Sequence, residues 1–362
     1  MSQPRKIAAI TIASRVAEER RTQLGTEVGY QVGLKKEADV EMETEGRTSI
    51  LFCTTGVILQ RLIKEKSMSR YTHIIIDEIH ERDIEIDMLL IIIRRMLAKN
   101  SPNTKIVLMS ATMDVSFFSQ YFQIPLGAGK IFYPPSVDLA MTPSNFKIKE
   151  YYLDNFKNVM RTVKDLVNVE EPGITDELYQ FAKMIVLICL RQQIEADKEG
   201  SKNAVILVFL PGLHEIECFH AKLLQMFDEN SYKNLGINLE ISVMHSVLSM
   251  EEQRKNFAHS NNPKIILATN IAESGVTIPR VTHVIDFCLT KYQATAKGAQ
   301  ISSLILDWSS KQNCKQRAGR CGRVCDGTVV RMVPIEFYNK KMKEYPAPEM
   351  CRIGLESVIL KI

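Results

Sequence analysis

Residues 72–80 read Thr72-His73-Ile74-Ile75-Ile76-Asp77-Glu78-Ile79-His80, an apolar run that ends on two acids. Its three consecutive isoleucines are β-branched, too few for a helix, and stop at two adjacent carboxylates. A short apolar run bounded by polar residues reads as a strand buried on both faces. The pattern recurs: residues 49–53 stop at Thr54-Thr55-Gly56, 105–109 at Ser110, 204–209 at Pro211 and 264–268 at Thr269. Helical patterns fill the intervals. Strands alternating with helices predict an α/β fold with parallel sheets covered on both faces. In such folds the chemistry collects beyond the carboxyl ends of the strands, and every polar cluster named here falls there.

The 362 residues suit two or three domains, and 45% hydrophobic with 24% charged residues is an ordinary globular mixture. Glycine and proline are dense over 125–143, which predicts a linker between two lobes. The charged stretches 37–47 and 195–203 read as solvated loops. Lys and Arg number 46 against 42 acids, so a net charge of +4 neither demands nor excludes nucleic acid. No signal-peptide pattern opens the chain, and the longest apolar runs, 88–93 and 184–190, fall far short of the roughly 18 residues of a membrane span. The expectation is a soluble, cytoplasmic protein with no membrane partner. Eight cysteines lack a C-x-x-C pair, and Cys314, Cys321 and Cys325 have no histidine near them to complete a zinc site, so they read as reduced structural thiols.

Chemistry centres on three clusters. Asp77 and Glu78 at a strand end can divide labour, the first holding Mg²⁺ and the second polarising a water, although acids there could merely complement a helix dipole. Ser110-Ala111-Thr112 could relay between sites, or could be an ordinary N-cap. Gln316-Arg317-Ala318-Gly319-Arg320-Cys321-Gly322-Arg323 puts two arginines three apart, which on a helix would aim both guanidiniums at one polyphosphate. The alternative is a solvated basic face. The segment 269–278 supplies hydroxyl, amide and backbone donors suited to a phosphate backbone.

In order, Gln3-Pro4-Arg5-Lys6, Thr54-Thr55-Gly56, 77–80, 110–112, 209–212, 269–278 and 316–323 resemble the motif series of DEAH-box RNA helicases. Within that family the segments 285–290, Trp308, 310–314, 331–333 and 348–350 are similar to the Tudor-domain helicases of the spindle-E type. The resemblance implies two RecA-like lobes with parallel sheets (the helicase superfamily 2 core), here 1–140 and 141–335, with 336–362 starting a winged-helix domain. It also implies roles. Asp77 and Glu78 face the metal, with Asp77 holding Mg²⁺ and Glu78 activating the water. His80 and Gln316 couple the lobes, with Ser110 and Thr112 beside them. Arg320 and Arg323 reach the β- and γ-phosphates of ATP, Gly275 and Thr277 lie at the nucleotide, and Arg15 and Phe257 match an adenine sandwich. A phenylalanine at the place of Phe257 can equally be core. Arg5, Thr55, Gly56, Thr269 and Asn270 match contacts to single-stranded RNA, and Ser302 and Ser303 a strand-separating hairpin.

The sequence departs from the family in three places. Ile79 replaces an alanine at a position expected to point into the lobe. Ser274-Gly275-Val276 stands for Thr-Ser-Leu, so a hydroxyl is missing at Gly275. No G-x-x-x-x-G-K-[ST] phosphate loop occurs in the 362 residues. The expectation is an ATP-dependent motor core that moves along RNA 3′ to 5′, with this chain by itself inactive. The resemblance adds germline transposon silencing with piRNA-pathway proteins, in cytoplasmic granules. The competing readings are an RNA clamp without turnover and a DNA translocase.

Overall fold

The computed structural model describes every residue except 34, 38–47, 112–114, 128–129, 138–145, 157–165, 198–203, 230–238, 246–261, 275–277, 296–300 and 361–362. The chain forms two units, Met1–Ala140 with Ala347–Ile362, and Met141–Pro346.

Unit 1 contains β1 (Ser2–Gln3), β2 (Val28–Val32), β3 (Lys35–Glu37), β4 (Ile50–Thr54), β5 (His73–Ile76) and β6 (Lys105–Leu108), with a separate hairpin of β7 (Ile124–Gly127) and β8 (Lys130–Phe132). The sheet runs β3-β2-β4-β1-β5-β6, parallel except for the β2–β3 pair. Helices α1 (Lys6–Glu19), α2 (Thr55–Glu65), α3 (Ile84–Lys99) and α4 (Val115–Tyr121) connect the strands. Helix α3 shows why the sequence folds this way. Ile86, Leu89, Leu90, Ile93 and Met96 recur at helical spacing and are buried. Asp83 caps its start, accepting from Ile86 N–H at 2.7 Å, a contact that contributes about 1 kcal/mol. These side chains join Val57, Leu62, Met68, Ile74 and Ile76 in the core of the unit.

Unit 2 contains β9 (Ile148–Tyr152), β10 (Val205–Phe209), β11 (Glu240–Met244), β12 (Lys264–Ala268), β13 (Val281–Asp286), β14 (Leu289–Thr295), β15 (Ser302–Trp308) and β16 (Gly327–Arg331). Its main sheet is all parallel, in the order β11-β12-β10-β13-β16-β9. Every residue of central β10 is buried, because both faces are covered. Ile206 and Val208 face a cluster with Phe181, Ile185 and Phe219 from α5 (Asp176–Asp197) and α6 (Leu213–Glu229). Val205, Leu207 and Phe209 face the other cluster, with Ala318 at the end of α7 (Lys311–Ala318) and Cys321 in the turn after it. β14 and β15 form an antiparallel hairpin, in the region where Ser302 and Ser303 pointed to one.

The division between the units falls at Ala140/Met141, inside the expected linker 125–143, and β7 and β8 pair in the first part of that stretch. Two other expectations are redrawn. Of 195–203, the first three residues belong to α5, whose helical pattern persists to Asp197. The expected third region, 336–362, is divided. Phe337, Tyr338 and Met342, on and just after α8 (Ile335–Lys340), pack in unit 2 with Tyr152, Cys288 and Cys314. Residues from Ala347, including the short α9 (Glu356–Ile359), group with unit 1. The reason is an unsatisfied helix end. Glu349 Oε2 accepts from Ile84 N–H at 2.8 Å, and Glu349 N–H donates to Arg82 O at 3.1 Å, so this segment completes the cap of α3.

Candidate active site

In unit 1, Asp77 follows β5, and the backbone turns at once into a 3-10 turn, Ile79–Glu81. Glu78 sits at φ 54° and ψ 36°, a left-handed conformation that costs a residue with a Cβ about 1–2 kcal/mol. Its neighbours enforce it. Ile79 is buried in the core, as its place in the sequence suggested, and its N–H donates to Met109 O at 3.2 Å. Glu78 N–H donates to Asp77 Oδ1 at 2.8 Å, and Gln3 Nε2 donates to Asp77 Oδ2, also at 2.8 Å. The Asp77 carboxylate is thus aimed by donors on both oxygens, one of them from a fully buried glutamine on β1. His80 Nε2 lies 3.4 Å from Glu78 Oε2, and Nδ1 lies 3.4 Å from Ser110 Oγ. Burial lowers the His80 pKa against the pull of Glu81 and Asp77, so at neutral pH the ring is a neutral hydrogen-bonding partner.

The RNA candidates of this unit lie beside that pair. Arg5 precedes α1 and its Nη2 is 3.3 Å from Glu81 Oε1. Thr55 opens α2, but its side chain is buried and its hydroxyl donates to Gln3 O at 3.4 Å. A phosphate would therefore meet the backbone N–H groups of Thr55 and Gly56 rather than the threonine hydroxyl. Arg15 lies on the exposed face of α1, bound to Glu19 at 2.8 Å, a surface contact easily exchanged for another partner. Thr112, Phe257, Gly275 and Thr277 lie outside the described residues.

In unit 2 the arginine octet is only partly helical. α7 ends at Ala318, so Arg320 and Arg323 sit in the turn after it, not on one helix face as their spacing suggested. Gly322 keeps the two arginines off a common helix: its φ of 71° disfavours any other residue, and a Cβ there would lie 2.6 Å from the Ile148 side chain. Gln316 and Arg320 are half-buried and Arg323 is exposed. The Arg320 guanidinium donates to Glu273 O, and Arg323 Nε donates to Gly319 O at 3.0 Å. Thr269 is buried at the end of β12, whereas Asn270 is exposed and starts a 3-10 turn, Asn270–Ala272.

Gln3, Glu273 and Arg317, three residues outside the expected site set, organise these clusters. The signal for Arg317 is its helical spacing from buried Cys314, which marks the inner face of α7. Cys314 groups not with Cys321 and Cys325 but with Asp286 and Cys288, three ligand atoms within 4.8 Å of one another. The Asp286 carboxylate there already carries Arg317 Nη1 at 2.7 Å, and burial pushes the Cys288 thiol well above its usual range, so the group reads as packed thiols beside an ion pair.

The family described as DEAD/DEAH box helicase matches residues 4–119, and the helicase conserved C-terminal domain matches 183–325. The chain is 42% identical over 366 residues to the probable ATP-dependent RNA helicase spindle-E of Aedes aegypti, covering all of this chain and 26% of that protein. It is 40% identical over 375 residues to the Drosophila melanogaster protein of the same name, again with all of this chain and 25% of the relative. It thus spans about a quarter of the length of these relatives. Among solved structures, the E. coli DExH-box NTPase HrpB superposes with a TM-score of 0.70 at 22% identity, over all of this chain and 38% of that one, which shows the shared fold. Among the described residues no helix is long and apolar enough to cross a membrane. With both helicase domains present and likeness to the spindle-E proteins along its whole length, the chain belongs to the DEAD/DEAH-box helicase family.

Proposed function

We propose that these residues form the motor core of an ATP-dependent RNA helicase, and one observation carries the reading. Asp77 is aimed by donors on both oxygens, and beside it a strained backbone presents Glu78 with His80 at its carboxylate. Hard carboxylate oxygens at a strand end fit Mg²⁺. Asp77 would hold the ion through its water shell, and the bound ion would offset charge on the phosphate oxygens. Glu78 takes the proton from the attacking water, and His80 keeps that carboxylate oriented. Arg320 and Arg323 supply the fixed positive charge that phosphoryl transfer requires. Arg5, the N–H groups of Thr55 and Gly56, Thr269 and Asn270 hold the RNA backbone, with little regard for base sequence. Likeness to the spindle-E type supports a further proposal, work with piRNA-pathway proteins in the germline cytoplasm. Transposon transcripts should rise when the protein is depleted.

The test of the motor reading is RNA-stimulated phosphate release from a chain that includes a phosphate loop, run beside the 362-residue chain, in which no such loop is spelled. Stimulated release in the first and none in the second is expected. RNA binding without release in the first would establish the clamp instead, and preference for DNA over RNA would favour the translocase.

A further inference from the structure

The octet 316–323 carries three arginines, and the fold gives one of them a different task. Arg317 lies on α7 between Cys314 and Ala318, both buried and apolar. A cation in such surroundings is tolerated only where its charge is answered at once. Here Nε and Nη2 reach Glu273 Oε1 at 2.8 and 2.7 Å, and Nη1 reaches Asp286 Oδ1 at 2.7 Å. Nη2 also donates to Leu289 O at 3.2 Å, and the guanidinium lies 5.2 Å from the centroid of the Phe209 ring. Burial alone would lower the Arg317 pKa, but Asp286 and Glu273 outweigh it and keep the charge fixed. Its partners come from four segments near the carboxyl edge of the sheet: the end of β10, the turn after β12, the end of β13 and the start of β14.

Glu273 is the critical partner. It caps the 3-10 turn that begins with Asn270, and its N–H donates to Asn270 O at 3.0 Å. Its Oε2 accepts from Asn313 Nδ2 at 2.9 Å, and its main-chain oxygen accepts from Arg320. Asn313, Arg317 and Arg320 therefore hold one residue of the RNA-facing turn from three sides.

We propose that Arg317 is a positioning residue whose clamp on Glu273 fixes the Thr269–Asn270 turn relative to Arg320, so that RNA on the turn and the phosphate-facing guanidinium respond together. The inference rests on the RNA and nucleotide roles proposed above. The planar fork is essential, because a lysine ammonium is a point charge that cannot satisfy Glu273, Asp286 and Leu289 O together.

Arg317→Lys and Glu273→Gln are the informative variants, since both preserve approximate size, and the second decides the matter if the first does not fold. Arg331→Lys is the control: Arg331 is equally buried in unit 2 but is bound to Glu150 and Tyr152. RNA affinity of the 362-residue chain, read by fluorescence anisotropy with homopolymer RNA, should fall about three- to tenfold in the two variants and less than about twofold in the control. In a chain that includes a phosphate loop, RNA stimulation of turnover should fall about tenfold while RNA-free turnover stays within about twofold. Unchanged RNA affinity in both variants, an equal loss in the control, or a proportional fall of free and stimulated turnover would each overturn the proposal. If the longer chain shows no stimulated turnover at all, the motor reading fails separately and the affinity measurement decides the positioning role.

Discussion

The two units secure their chemistry differently. In unit 1 the Asp77–Glu78 pair is held by neutral donors, Gln3 and a backbone N–H, and by one strained residue. In unit 2 the arginine turn is held by a buried ion cluster, with Arg317, Glu273 and Asp286 all nearly inaccessible to water. Neutral bonds at a half-exposed strand end contribute little to stability, yet they set the orientation on which general-base chemistry depends. A buried cluster is the reverse: breaking it strands charges in the core. Loss of activity and loss of fold should therefore separate by unit.

Arg317→Met should produce the largest effect on folding, because it leaves two carboxylates buried without a counter-charge. Unit 2 should lose about 3–5 kcal/mol, read as a lower denaturation midpoint with unit 1 unaffected. A loss under about 1 kcal/mol would mean that the cluster relaxes into water, and the contrast would collapse.

Next is Glu78→Gln. In a chain that includes a phosphate loop, turnover should fall at least about a hundredfold, because the amide cannot accept a proton, while RNA affinity and thermal midpoint hold. Turnover within about tenfold of the parent would remove Glu78 from the role of base.

A smaller effect is expected at the start of α3. Burial raises Asp83 to about 7, with Glu81, Glu85 and Glu349 adding to the shift and the Ile86 N–H opposing it. In the unfolded chain the group titrates near its ordinary value, so between roughly pH 4 and 7 the folded state binds more protons. Its contribution to stability therefore declines as pH rises through that window and is least favourable above 7. Asp83→Asn keeps the cap and removes the charge, so it should stabilise unit 1 by about 1–2 kcal/mol at pH 8 and by little at pH 4.5. Equal effects at both pH values would show that ionised Asp83 carries no penalty.

The smallest is Arg5→Ala, which should weaken binding of every homopolymer RNA about equally, by roughly threefold to tenfold. The loss is modest because Arg5 must leave Glu81 to meet a phosphate. A loss confined to one base would place Arg5 at a base edge instead.

The strand over 73–76, its carboxylates and the order of the motifs were legible because each depends on neighbouring residues alone. The alternation of apolar runs with polar stops determined the parallel α/β class, and periodicity placed the core of α3. What escaped was brought together from a distance. Gln3 donates to Asp77 across 74 positions, and Arg317 reaches Glu273 across 44, so no local pattern marks either pair. The spacing of Arg320 and Arg323 suggested a helix that Gly322 forbids, because close packing on Ile148 decides that turn. Residues 347–360 went to unit 1 for a similar reason, since the open Ile84 N–H at the start of α3 donates to Glu349. Sequence determined which groups can do chemistry, because that is a property of side chains. The tertiary structure decided which are aimed and which are bolted in place, because burial and distant partners fix orientation.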